Sequence, residues 1–507
     1  MRMALALVAG GLFVAAVPPL SLAPLALLSF ATLYALVENQ GIGRAFAIGW
    51  TFGLGQFVIG ISWIGESFQV EAETFGALAI PAVGGLAAGL ALFPALAALV
   101  YAGLMRLRLF AALPASAVFF AAAWAGTEWL RGHVLTGFPW NLAAYALTDL
   151  PVMRQPAAWV GSYGMGFLLV QTGAWLGAAL IAQGRARAVS LGLTVALIGM
   201  VWVAGTWLAG RETRPESGTR LRIVQGNIPQ AEKWAPGSRT RMLEKYLRLS
   251  TRPGDYDLLL WPETAFPGFV DEDAAARARI ADSLPEGAYL LIGAPDRVQG
   301  QSGTRYFNTI QAYGQRGEIL TGYAKHHLVP FGEYVPWRDW LPFRRMVESL
   351  GDFTPGPGPR TLALPGVPLF APAICYEIIF PGHVTDRLFR PDWIFNATND
   401  AWFGTSIGPE QHLAAARMRA VEEGLPVIRA ANTGISAVID ARGAVIVRRE
   451  LQADAVINAT LPPALPRTPY ARFRDWMLLA LVAFVLGAAV ALSAIARDIM
   501  SEKTEEN

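Results

Sequence analysis

One cysteine, Cys375, stands in a chain of 507 residues of which only 16% are charged. A single thiol excludes an intramolecular disulfide and a thiolate metal cluster, and leaves that sulfur as either inert filler or a nucleophile. The formal net charge is only +2. No run of Lys and Arg forms a basic stripe, so nucleic acid is set aside as a partner. Neither an internal repeat nor a low-complexity linker is present. Apolar residues are what the chain has in excess: 53% are hydrophobic and the mean hydropathy is +0.37. Soluble domains hold about 45–50% apolar and about 25% charged residues, so a membrane protein is expected.

Roughly 20 mostly apolar residues cross a bilayer, and about seven stretches near that length fill the first 210 residues. They lie near 3–17, 20–38, 45–64, 80–104, 109–130, 157–182 and 189–209. Met1-Arg2 and the short apolar run behind it also resemble a signal peptide, but Pro18-Pro19 follows without a clear small-residue cleavage site. A further span starts at Trp476 and ends near Ile495, before a polar tail. Arg2, Arg44, Arg106 with Arg108, Arg185 with Arg187, and Arg497 fall at every second boundary, whereas the alternate boundary around Glu66, Glu71 and Glu73 is acidic. Cytoplasmic loops are enriched in Lys and Arg, which puts the N-terminus inside and the region after the seventh span outside.

The expected organisation is therefore a transmembrane domain over 1–210, an extracytoplasmic domain over 211–470, and a last span with a cytoplasmic tail over 471–507. Within 211–470 short β-rich runs alternate with Gly, Pro and Asp: LRIVQGNI (221–228), DLLLWPE (257–263), YLLIGAP (289–295), FNTIQAY (307–313), LFAPAICYE (369–377), DWIFNATN (392–399), PVIRAANTG (426–434) and ISAVIDARGAVIVRRE (435–450). Helical spacing appears near 239–250, 272–283 and 409–424. Gly314 to Gly317 and Ala441 to Gly443 read as hairpin turns. Strands mixed with helices over this length predict one α/β domain with a sheet core.

Three polar residues sit where apolar strand-like runs end, the place from which a sheet presents side chains to a crevice. Glu263 follows DLLLWP in a Pro-flanked turn, Cys375 follows LFAPAI, and Lys325 lies in GYAKHHLVPFGEYVP. A thiol with a free pKa near 8.5 needs a base or a cation to become a useful thiolate. Glu263 is suited to take its proton, and Lys325 to stabilise thiolate and oxyanion, with the Tyr376 backbone N–H as a second donor. Taken singly, each has a plainer reading. A cysteine in an apolar strand is buried filler more often than not, and Glu263 and Lys325 are compatible with a structural ion pair.

Taken in order, WPETAFP (261–267), YAKHHLVPFGEYVP (323–336) and ICYEIIFP (374–381) resemble the Glu, Lys and Cys motifs of the nitrilase superfamily. With QGNIPQAEKW (225–234), YFNTI (306–310), NATNDAWFG (396–404) and the run 411–440, the whole frame of spans and domain is similar to the bacterial apolipoprotein N-acyltransferases. That resemblance implies an αββα sandwich and a ping-pong reaction through a Cys375 thioester. The acyl donor would be a membrane phospholipid and the acceptor the diacylglyceryl-modified N-terminal cysteine of an apolipoprotein. The bacterial inner membrane is the implied location, with the catalytic domain facing the periplasm. Glu333 and Glu377 match the family's further carboxylates, and Tyr376, Asn308 and Trp234 match pocket positions. Trp140, in GFPWNL (137–142), matches a segment near the lipid entrance.

The stretch 337–353 mixes Trp337, Trp340, Phe343 and Met346 with Arg338, Arg344 and Arg345, which suits an arm in the headgroup region. His326 and His327 lack metal-site spacing, so no metal and no cofactor are expected. A monomer is the default expectation. Two other functions compete: a membrane-anchored amidase that releases its acyl group to water, and a non-catalytic membrane scaffold. Retention of all three motif residues speaks against the scaffold, and the number of spans speaks for a lipid acceptor.

Overall fold

A computed structural model describes residues 1–107, 113–301, 303–336 and 351–505, with the backbone alone described over 492–505. The proposed arm over 337–353 lies almost entirely outside the described residues. The chain divides into two compact units, one of Met1–Ser62, Ile80–Arg211 and Thr468–Asn507, the other of Trp63–Ala79 and Glu212–Arg467.

The first unit is helical. Among the described residues, four helices are long and apolar enough to cross a membrane: Ile42–Gly60, Ala72–Arg106, whose first residues up to Ala79 group with the second unit, Ala157–Ile181 and Gly184–Ala209. Arg2–Ala16, Pro24–Val37 and Trp476–Ala491 are shorter apolar helices, and Ala115–His133 is a further helix carrying Glu128 and Arg131. Small residues let helix backbones approach where lipid supplies no hydrophobic drive. A Cβ on Gly10 would lie 2.0 Å from the Phe52 carbonyl oxygen, and one on Gly55 2.0 Å from that of Leu7. The helices Arg2–Ala16 and Ile42–Gly60 therefore touch backbone to backbone.

The second unit is built on twelve strands: β1 (Arg220–Gln225), β2 (Leu258–Leu260), β3 (Tyr289–Gly300), β4 (Gly303–Tyr313), β5 (Ile319–Ala324), β6 (Leu362–Leu364), β7 (Val367–Ile374), β8 (Trp393–Thr398), β9 (Val427–Ala431), β10 (Ser436–Ile439), β11 (Val445–Arg449) and β12 (Ala455–Thr460). They form two six-stranded sheets ordered β12-β1-β2-β3-β4-β5 and β11-β10-β9-β8-β7-β6. Period-two alternation decides which side chains meet between the sheets. Leu221, Ile223, Leu258, Leu260 and Leu291 pack with Phe370, Ile374, Phe395 and Ile428 in one core. The alternate residues Val224, Leu259, Leu290 and Ile292 face the other way, onto Met242, Tyr246, Leu249 and Ile280 of the helices Ser238–Ser250 and Ala274–Ser283. The helix Gly408–Glu423 packs beside β9 and the turn after β7. The unit is an αββα sandwich, as the resemblance implies.

Trp63–Ala79, which the sequence leaves among the spans, groups with the sandwich for a local reason. Trp63 meets the Phe403 ring at 4.4 Å, and Ser67 Oγ donates to the Trp402 carbonyl at 3.0 Å.

Candidate active site

Each of the three motif residues stands just past a strand. Glu263 follows β2, and the next residue, Thr264, has φ of +48°. Lys325 follows β5, fixed by its N–H to the Asn308 carbonyl at 2.8 Å and its own carbonyl to the Gly356 N–H at 2.8 Å. Cys375 opens the short 3-10 turn Cys375–Ile379 after β7 with φ of +49°, a left-handed conformation that is costly for a side-chain-bearing residue.

Glu263, Lys325 and Cys375 are 8%, 1% and 7% exposed. Lys325 Nζ lies 2.8 Å from Glu333 Oε2 and 3.8 Å from Glu263 Oε1. Asn308 Nδ2 donates to Glu263 Oε1 at 2.7 Å and to Glu333 Oε1 at 2.8 Å. Glu333 Oε2 also accepts the Val329 N–H at 2.8 Å. Two carboxylates thus flank one ammonium and share one amide. The Oδ1 of Asn308 is buried and has no hydrogen-bond partner among the described residues.

The electrostatics follow from burial first. Burial pushes the Cys375 thiol up to about 12, the Glu263 carboxylate adds to this, and Lys325 opposes it. Burial also raises the Glu263 carboxyl; Lys325 opposes that rise and Glu333 reinforces it. For Lys325, burial favours the neutral form, but Glu333 and Glu263 outweigh it and hold the ammonium well above its ordinary value.

Glu377 is a hub. Its Oε1 accepts from Tyr323 OH at 2.7 Å and from the N–H groups of His326 and His327 at 2.8 and 3.2 Å, and its Oε2 accepts the Ile374 N–H at 2.7 Å. One buried carboxylate ties the loop after Lys325 to the turn that carries Cys375. Tyr376, 9% exposed, packs edge-on to Phe380 at 5.0 Å and near His327 at 5.7 Å. Trp234 is half-buried on the loop after Gln230–Glu232. Trp140 belongs to the helical unit, where it is buried and its carbonyl accepts from Arg131 at 2.8 Å.

Four residues of this region were not singled out from sequence. Lys233, 1% exposed, places Nζ 3.5 Å from the Glu263 carbonyl, and burial draws its ammonium down to about 8 against the pull of Glu263 and Cys375. His412 Nε2 lies 3.1 Å from the Cys375 carbonyl oxygen, and its Nδ1 lies 2.9 Å from Asp400 Oδ1. Arg429 donates to Asp400 Oδ2 at 2.6 Å. His412 and Arg429 are fully buried and Asp400 is 1% exposed. Their signal is charge inside apolar surroundings, as with Arg429 in VIRAA, since buried charges are normally paired.

A thiol, a carboxylate and an ammonium, all buried in one unit, are the parts required for acyl transfer through a covalent intermediate. Residues 9–175 match the family model of the apolipoprotein N-acyltransferase N-terminal domain, and residues 220–468 that of carbon-nitrogen hydrolase. The apolipoprotein N-acyltransferase of Bradyrhizobium diazoefficiens is 41% identical, over 96% of this chain and 94% of its own. Those of Rhodopseudomonas palustris and Caulobacter vibrioides are 40% and 39% identical, covering 96% and 99% of this chain and 94% and 97% of theirs. Identity at that level across both the helical and the sandwich units is shared ancestry of the whole architecture, and the chain belongs to the apolipoprotein N-acyltransferase family.

Proposed function

We propose that this protein moves a fatty acyl chain from a membrane phospholipid to the α-amine of the N-terminal S-diacylglyceryl cysteine of an apolipoprotein, the final step of lipoprotein maturation. The observation that carries the reading is the buried ion pair of Glu263 and Lys325, 3.8 Å apart, whose charges both act on the thiol of Cys375, in a member of this family.

In the first half-reaction the Cys375 thiol passes its proton to Glu263 as sulfur attacks the ester carbonyl carbon. Lys325 offsets the charge that grows on the carbonyl oxygen. The ester C–O bond then breaks, Glu263 returns the proton to the departing oxygen, and lysophospholipid leaves a thioester behind. In the second half the amine attacks that thioester and gives a proton to Glu263. The C–S bond breaks, the amide forms, and the proton returns to sulfur. Glu333 fixes Lys325, Asn308 fixes Glu263, and the unpartnered Asn308 Oδ1 is an acceptor for the incoming amine. Tyr376 and Trp234 are assigned to the pocket, and Trp140 to the lipid entrance.

Burial of all three groups supports transfer over hydrolysis, because a thioester shielded from water waits for its amine. Basic residues at alternate helix boundaries support an inner-membrane protein with about seven spans before the sandwich, one after it, and the catalytic unit facing the periplasm. One copy suffices, since all three groups lie in one unit.

Intact-mass spectrometry of the protein with phospholipid, before and after a diacylated lipopeptide is added, tests the reading. An acyl adduct that is absent in Cys375→Ser, and that moves to the peptide amine, is the expected result. Loss of the adduct to water alone would make the protein an amidase, and no adduct with any lipid would leave a binding scaffold.

A further inference from the structure

The helix Ala115–His133 carries Trp124, Glu128 and Arg131 at spacings of four and three, which sets them on one face. That face meets the helix Ile42–Gly60. The Phe52 ring packs edge-on to Trp124 at 5.8 Å, and the Arg131 guanidinium lies 5.3 Å from the centre of the Phe57 ring. Gln56 is one turn beyond Phe52 and next to Phe57, so it stands between these two contacts. Gln56, Trp124, Glu128 and Arg131 are each no more than 3% exposed.

With Phe57 and Phe93 these four line a cavity of about 10 Å³. Three of them hold a buried polar atom with no hydrogen-bond partner among the described residues: Gln56 Oε1, Trp124 Nε1 and Glu128 Oε2. The other Glu128 oxygen accepts the Ala143 N–H at 2.9 Å, and Arg131 donates to the carbonyls of Phe138 and Trp140 at 2.7 and 2.8 Å. Unpaired polar groups are costly to bury, most of all among spans, where lipid offers no hydrogen bonds. Two acceptors and one donor beside one small space call for a ligand that both accepts and donates. A cation would meet the charge of Arg131, and an anion that of Glu128, 3.6 Å from it. The volume is that of a single water-sized sphere, which excludes an organic group.

We infer that one water molecule is bound here, accepting from Trp124 Nε1 and donating to Glu128 Oε2 and Gln56 Oε1. It joins the helix Ile42–Gly60 to the helix Ala115–His133 and completes the buried pair that fastens the segment 138–143 to the latter. This water belongs to the fold of the helical unit and does not depend on the chemistry proposed for Cys375.

The test is crystallography of the full, unaltered chain grown from a lipidic phase, at a resolution that shows ordered water. One isolated peak within about 3.2 Å of all three atoms is the expected result. A cavity without density would overturn the inference. Crystals soaked in thallium(I) separate water from a monovalent cation, and an anomalous peak at the site would overturn it in favour of the cation. Trp124→Phe keeps an aromatic ring and removes the donor, and the peak is expected to be lost. A peak kept at full height in that variant would also overturn the inference, and the unaltered chain decides the matter if the variant does not fold.

Discussion

His412 Nε2 sits 3.1 Å from the carbonyl oxygen of Cys375, on the residue that takes a φ of +49°. A carbonyl only accepts, so that nitrogen carries a proton, and the other ring nitrogen faces Asp400 Oδ1 at 2.9 Å. Thr398 Oγ1 donates to the same oxygen at 3.0 Å, and Arg429 holds the second Asp400 oxygen at 2.6 Å. Behind the thiol there is thus a chain from Arg429 through Asp400 and His412 to the backbone of Cys375. On the proposed mechanism His412 is a positioning residue, acting on Cys375 through its carbonyl.

Replacing His412 with Ala is expected to slow thioester formation by up to about 100-fold, the cost of displacing a reacting group by about 1 Å. The affinity for phospholipid should change little, because His412 is fully buried behind the turn. Single-turnover acylation followed by mass, with lipid concentration varied, separates the two effects. A rise in the half-saturating lipid concentration with an unchanged maximal rate would contradict the assignment.

Glu377 predicts a pH dependence of stability. Burial favours its neutral form, yet hydrogen bonds and the charge of His326 prevail, and the carboxyl is held below its ordinary value of 4.5. Its folded pKa is lower than its unfolded one, so between the two values the unfolded chain binds the extra proton. This contribution is complete above about 4.5 and is lost as the pH falls through the lowered value. Thermal unfolding in detergent should show Glu377→Gln less stable than wild type at pH 7. The gap should narrow steadily below pH 4.5.

Much of this arrangement is legible in the sequence because it is carried by local pattern. The strand-like runs at 221–228, 289–295, 307–313 and 392–399 fall on β1, β3, β4 and β8, and the helical spacing near 239–250 and 409–424 falls on helices at Ser238–Ser250 and Gly408–Glu423. The hairpin turns at Gly314 and Ala441 join antiparallel strands β4–β5 and β10–β11. Two edge strands were not foreseen. β6 has three residues beside Pro and Gly, and β12 pairs across the sheet with β1, more than two hundred residues earlier. Long-range pairing of that kind leaves no local signature. The His412 chain was hidden for the same reason: Asp400, His412 and Arg429 lie on three different elements.

Lys233 bears on the proton affinity of Glu263, the proposed base. It is buried, lies 3.5 Å from the Glu263 carbonyl, and is one of the charges that lower the Glu263 carboxyl. Lys233→Met removes that charge, so Glu263 should bind its proton more tightly and the acid limb of the acylation–pH profile should move to higher pH. Lys233→Arg should leave the limb closer to that of wild type. A profile unchanged in Lys233→Met would reduce the residue to a packing role.

Gly293 of β3 tests whether the position of Glu263, rather than only its charge, matters. A Cβ at Gly293 would lie 2.5 Å from both the Glu263 Cα and the Pro262 carbonyl oxygen, and 2.9 Å from the Thr264 N–H nitrogen. All three are backbone atoms, so Gly293→Ala cannot be accommodated by rotating a side chain. The turn bearing the base must move away, while Lys325, Glu333 and Cys375 keep their own supports on β5, the following loop and β7. A displacement of about 1 Å in a reacting group costs on the order of 100-fold in rate. Thioester formation should fall by that amount in Gly293→Ala. Restoration of the rate by raising the pH would show that the substitution had acted on the carboxyl's proton affinity. A deficit constant across the pH range marks a base held in the wrong place.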